Sequence, residues 1–71
     1  MGKEAHYKLI TERIRLRRTE LEFSQEYMAE QLDISQNTYS RNERDIRNVP
    51  LKRVLQIAVL LKLDILELLK V

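Results

Sequence analysis

The sequence predicts an all-α fold, a compact bundle of five helices joined by short turns. Two features carry that prediction. In 71 residues there is one glycine and one proline, too few for a turn-rich β architecture. Apolar residues also recur at three- and four-residue spacings, the period of a helix with one buried face. A hydrophobic share of 44% permits a core. The length sets one domain over residues 1–71, with a thin margin of stability. With no cysteine, neither a disulfide nor a thiolate metal site can supplement that core.

The first helix is expected from about Glu4 to Leu21, with Tyr7, Ile10, Ile14 and Leu21 on one face. Ser24 caps the second, because its hydroxyl can accept from the free amides of a first turn. Met28, Ala29 and Leu32 then face inward. Asp33 and Ile34 form a turn, and Ser35 caps a third helix over about Gln36 to Glu43, anchored by Tyr39. The segment "RDIRNV" reads as a polar, basic loop. Pro50 suits a first helical turn, which places the fourth helix over about Pro50 to Leu61. Val54, Leu55, Ile57, Ala58 and Leu61 supply its core face. Asp64 caps a fifth helix, Ile65 to Leu69.

Net charge is only +2 but is unevenly spread. Residues 20 to 33 hold Glu20, Glu22, Glu26, Glu30 and Asp33 and no lysine or arginine. Residues 41 to 53 hold Arg41, Arg44, Arg47, Lys52 and Arg53 against Glu43 and Asp45. A further cluster, Arg13, Arg15, Arg17 and Arg18, lies on the first helix. Such asymmetry suits one basic face turned to a polyanion. No apolar leader is visible at the N-terminus. The most apolar stretch, Val54 to Leu69, is interrupted by Gln56, Lys62, Asp64 and Glu67 and falls short of a membrane span. A soluble, cytoplasmic protein is the expectation.

Catalysis finds no foothold. With no cysteine, a lone histidine (His6) and no glycine-rich loop, no nucleophile–base pair or metal cluster can be assembled. No enzyme activity, no cofactor and no metal site are expected.

The informative stretch is "SQEYMAEQLDISQNTYSRNE", Ser24 to Glu43. Two short helical patterns stand about three residues apart. The second offers Gln36, Asn37, Ser40 and Arg41 on one side, with little but Tyr39 to hold it down. This stretch resembles the helix-turn-helix of the phage repressor and Cro family, also called Xre. The likeness runs from "RIRLRRTELEFSQ" through "VPLKRVLQIAVLLKLDILELL". If Gln25 is the first motif position, Ala29 is the fifth, where the two helices cross closely and a small residue is needed. Met28, Leu32, Ile34 and Tyr39 take the motif's apolar positions. Arg18 and Glu43 match a pair that in this family ties the first helix to the end of the third. The chain also departs from the pattern. Glu22, Asp33, Asp45 and Lys62 stand at helix ends where the family often has glycine. Asn42 stands where Ile or Leu usually packs, and a buried, unpartnered amide there would cost about 1–3 kcal/mol.

The resemblance implies sequence-specific binding of double-stranded DNA by a repressor-like regulator, with the third helix in the major groove. Glutamine and asparagine can bond bidentately to adenine and arginine to guanine, so Gln36, Asn37 and Arg41 are the implied base readers. Thr38 and Ser40 flank them, for base or phosphate contact. Gln25 is implied at a phosphate, at the amide-rich start of the second helix. Arg44, Arg47 and Asn48 are implied backbone clamps. Arg13, Arg15 and Arg17 stand as flanking phosphate contacts or as a solvated helix face. Tyr27 is expected exposed on the second helix. Glu26, Glu30 and Asp33 resemble a patch some phage repressors turn to RNA polymerase, the plainer reading being a solvated face. A homodimer on a near-palindromic operator is implied, in a prokaryotic or phage setting at the nucleoid. Its surface would come from Leu66, Leu69 and the loop before the fourth helix. The alternative is an antitoxin, or another protein-interaction module on the same fold, with a toxin or other protein as partner and weak or lost DNA binding.

Overall fold

In the computed structural model, which describes residues 3–70, the chain runs α1 (Lys3–Glu20), α2 (Gln25–Leu32), α3 (Gln36–Arg44), a 3-10 turn (Ile46–Asn48), α4 (Leu51–Leu60) and α5 (Ile65–Leu69). There is no strand among the described residues. The long α1 packs against α3, the 3-10 turn and α5, while α2 pairs closely with α3 and also touches α4. All of these elements feed one core: Ile10 and Ile14 of α1, Met28 and Ala29 of α2, Tyr39, Ile46, Val49, four residues over Val54–Leu61, and Leu68. Ala29 is buried in α2, on the helix that pairs most closely with α3.

Helix starts follow the side-chain caps. Ser24 Oγ accepts from the Tyr27 amide at 2.9 Å, Ser35 Oγ from the Thr38 amide at 3.0 Å, and Asp64 Oδ1 from the Leu66 amide at 2.9 Å. Pro50 sits one residue before α4, as its N-cap, and has no side-chain cap bond to offer.

Three helices end alike. Glu22 (φ 60), Asp33 (φ 59) and Lys62 (φ 57) are left-handed. In each case the following amide reaches back five residues: Phe23 to Arg18, Ile34 to Ala29 and Leu63 to Ala58, at 3.1, 3.0 and 2.8 Å. This is the termination that glycine ordinarily serves, and a side chain there costs about 1 kcal/mol. Asp45 differs from the sequence expectation. Its backbone is extended (φ −151), and its carboxylate caps the 3-10 turn by accepting from the Arg47 amide at 3.0 Å.

The segment expected as a polar loop is therefore structured. Ile46 and Val49 lie three residues apart, a spacing that a 3-10 turn brings to one side, and both are buried. Two other apolar expectations are corrected. Tyr7 is 39% exposed, one turn before Ile10, where the buried face of α1 begins among the described residues, and Leu55 is 43% exposed, about 100° round α4 from Val54. Asn42 is half-buried and accepts from Arg53 at 3.3 Å, so its amide oxygen is partnered.

Arginines close the remaining helix ends. Arg13 NH1 donates to the carbonyls of Glu67 and Leu68 at 3.1 and 2.9 Å and to that of Lys70, at the C-terminus of α5. Arg17 Nε donates to Leu61 O at 2.9 Å, just past α4. His6 Nε2 donates to Leu69 O at 2.9 Å. Cations near helix C-termini also meet the negative end of the helix dipole.

Glu22→Gly and Lys62→Gly should each raise the unfolding free energy by about 0.5–1 kcal/mol in urea titrations, because the left-handed backbone suits glycine. Asp45→Gly should instead lower it by about 1 kcal/mol, through loss of a cap on extended backbone.

Candidate nucleic-acid interface

The helix-turn-helix is held from below by one carboxylate. Glu43 is 6% exposed. Its Oε2 accepts from Arg18 Nε at 2.7 Å and from the Tyr39 hydroxyl at 2.7 Å. Its Oε1 accepts from Arg18 NH2 at 2.9 Å and from Gln25 Nε2 at 3.2 Å. Arg18 NH1 continues to Phe23 O at 2.8 Å, in the turn between α1 and α2. One carboxylate thus joins α1, α2 and α3. No buried side-chain nitrogen or oxygen among the described residues lacks a hydrogen-bond partner.

Burial alone would raise the Glu43 pKa, but the bonds from Arg18, Tyr39 and Gln25 together hold it below the usual 4.5. Arg18 is raised by its bond to Glu43 against the opposing effect of burial. Tyr39 is raised first by burial and then by Glu43, so its hydroxyl stays protonated and donating.

With Tyr39 and Glu43 turned inward, a helical step of about 100° per residue sends Asn37, Arg41 and Arg44 to the opposite side of α3. All three are exposed, as is Gln36 in the first turn. None of these four makes a side-chain hydrogen bond or ion pair within the described residues. Ser40 is half-buried beside them. Thr38 is also half-buried, and its hydroxyl accepts from Ser35 Oγ at 2.9 Å, which commits it to the helix start. A concave surface of about 450 Å³ runs from α3 to the turn, lined by Thr38, Arg41, Asn42, Arg44, Asp45 and Asn48. Arg47 is exposed and forms a fork with Asp45, NH2 to Oδ2 at 2.7 Å. Its hydrogen bonds hold the Asp45 carboxyl down at about 2.

Gln25 is half-buried at the start of α2, with its amide oriented by Glu43. Tyr27 is 37% exposed and stacks obliquely on Phe23, ring centroids 4.6 Å apart. Arg15 lies on the surface, paired with Glu12 at 3.0 Å. Arg13 and Arg17 are placed elsewhere than on a solvated face, because carbonyls at helix ends take their donors. The sequence carried no local signal for this, since both acceptors lie more than forty residues away.

A family model described as helix-turn-helix matches residues 14–68. The chain belongs to this Xre, or lambda-repressor-like, helix-turn-helix family. No curated protein and no solved structure gives a significant match. The family is a DNA-binding one, and the matched span carries α2, α3 and the whole Glu43 cluster. Among the described residues, no group of three His, Cys, Asp or Glu is placed to hold a metal ion. No helix among them is long and apolar enough to cross a membrane.

Removing the carboxylate strands Arg18 in the interior. Glu43→Ala should cost about 3–5 kcal/mol, comparable to the whole stability of a small domain, and leave the chain largely unfolded by circular dichroism. The pH dependence has a definite sign. Because the folded pKa of Glu43 lies below 4.5, its contribution is complete above that pH and is lost as pH falls through the folded value. Denaturant titrations from pH 6 down to about pH 3 should show the parent losing stability faster than Glu43→Gln.

Proposed function

We propose that the protein is a sequence-specific, repressor-like regulator that reads the major groove of double-stranded DNA with α3. The observation that carries this reading is the uncommitted face of α3. Asn37 and Arg41 project from a helix whose other side is clamped by Tyr39 and Glu43, and Gln36 is exposed in its first turn. Amide and guanidinium groups with no internal partner match the donor and acceptor patterns of base edges. A rigid backing keeps them in register, which bidentate contacts require.

Phosphate contacts frame the readers. Gln25 contributes the amides at the start of α2 and the second hydrogen of its Nε2. Arg44 and Asn48 line the concave surface at the end of α3 and, with Arg47, position the duplex without specifying sequence, while Ser40 flanks the readers for base or phosphate contact. Thr38 contributes through the rigidity of the Ser35 cap and through any remaining hydroxyl contact. One such unit covers one half-site. A homodimer would place two of them about 34 Å apart on a near-palindrome, through Leu66, Leu69 and the loop before α4. Leu66 is 76% exposed and Leu69 41% exposed, which leaves them open to such a contact. The setting is cytoplasmic, at a prokaryotic or phage genome.

One observation favours the second reading, an antitoxin or protein-interaction module. Leu51, Leu55 and Val59 form an exposed apolar row at four-residue spacing along α4. A protein partner that binds there would leave the α3 face open, so the two readings are compatible on one molecule.

Selection of random duplexes by the purified protein should enrich a near-palindrome. Arg41→Ala and Asn37→Ala should each relax preference at one position per half-site, with a loss of about 1–3 kcal/mol on the selected site. A folded protein that enriches no sequence would overturn the reading.

A further inference from the structure

The first part of α1, residues 3–13, lies before the span matched by the family model, so the family says nothing of its use. One side of it is fixed to α5 by His6 and Arg13. Another borders the 3-10 turn, where α1 and residues 44–47 at the end of α3 and in the turn line a cleft of about 220 Å³. Tyr7, Lys8, Thr11 and Arg15 line it from α1, and Arg44 and Arg47 line it from the far side. Among the described residues its two carboxylates are already held, Glu12 by Arg15 at 3.0 Å and Asp45 by Arg47 at 2.7 Å. The described lining carries more cations than carboxylates. Lys8 and Arg44 are both exposed and form no ion pair within the described residues. Tyr7 and Thr11, in the same lining, add neutral hydroxyl donors.

Arg44 links this cleft to the reading face. It lies on the outward side of α3 and lines both the concave surface beside α3 and the α1 cleft. A backbone strand tracked by Arg44 would therefore meet Lys8 and Arg15 next.

We propose that this cleft binds a backbone phosphodiester of the DNA and extends the interface from α3 onto α1. The proposal rests on the DNA reading above. Its chemistry is a fixed anion met by Lys8, Arg15, Arg44 and hydroxyl donors, contacts that set position and salt dependence but carry no base preference.

The test is phosphate-ethylation interference on the selected operator, with the parent and with a Lys8→Gln/Arg15→Gln variant. Circular dichroism checks that both fold, and Lys8→Gln alone serves as the milder change. In the expected result, a phosphate whose ethylation blocks the parent becomes silent in the double variant. Base preference stays the same, and the slope of log affinity against log salt falls by about 1. Affinity near physiological salt should drop on the order of tenfold. An identical interference map and slope in parent and variant would overturn the proposal. So would uniform weakening with every phosphate still sensitive, which would mean that the two side chains act through the fold. If the folded parent shows no interference anywhere, the DNA reading itself fails, a result distinct from either of these.

Discussion

The Glu43 carboxylate lies where three helices meet, and it accepts from Arg18 on α1, Gln25 on α2 and Tyr39 one turn earlier on α3. Burying a charge in so small a protein is expensive, and four hydrogen bonds offset that expense. Apolar replacements of Arg18, Gln25 and Glu43 together would give comparable net stability, but without direction. Hydrogen bonds to two carboxylate oxygens set the rotation of α3 as well as its depth. Because α3 is only nine residues long and has few apolar side chains, its orientation depends on that cluster more than on area buried. The outward direction of Asn37 and Arg41 is then a consequence of the inward direction of Tyr39 and Glu43.

Around this centre the bundle is stabilised by helix-end chemistry as much as by its core. Three helices end on left-handed residues that are not glycine, a small penalty at each. Long arginines crossing from α1 provide compensating bonds. Arg17 reaches the end of α4, and Arg13 covers the carbonyls of α5, a helix of five residues that could not persist alone. The basic cluster on α1 thus divides by role. Arg13, Arg17 and Arg18 serve the fold, and Arg15 remains on the surface with Lys8.

Most of the fold was legible in the sequence because its signals are local. Ser24, Ser35 and Asp64 marked three helix starts, and Asp33 marked the turn of the motif. The periodic positions Ile10, Ile14, Met28 and Ile57 are buried where the spacing puts them. What was not legible depends on distant partners. Ile46 and Val49 looked like isolated apolar residues in a charged loop, and the packing of the 3-10 turn against α1 and α3 is what brings them into the core. Asp45 looked like a helix-ending residue in the left-handed region, yet the chain enters its next turn at once and uses the carboxylate as a cap. Tyr7 satisfies the helical period but lies one turn before Ile10, and Leu55 lies at the edge of its stripe, distinctions that spacing alone does not draw. At the candidate interface, the identity of the exposed amides was readable. The placement of Arg44 between two basic concavities was not.

The most direct test of a clamped α3 reading the major groove uses an operator whose half-site purines are replaced by their 7-deaza analogues. These remove the N7 acceptors of the major groove and leave phosphates and minor groove intact. Arginine at guanine and asparagine or glutamine at adenine all require N7. Affinity for the substituted duplex should fall by on the order of tenfold or more, and most of that loss should disappear in a protein carrying Arg41→Ala and Asn37→Ala. Undiminished affinity of the parent for the substituted duplex would contradict the account and place recognition away from the outward face of α3.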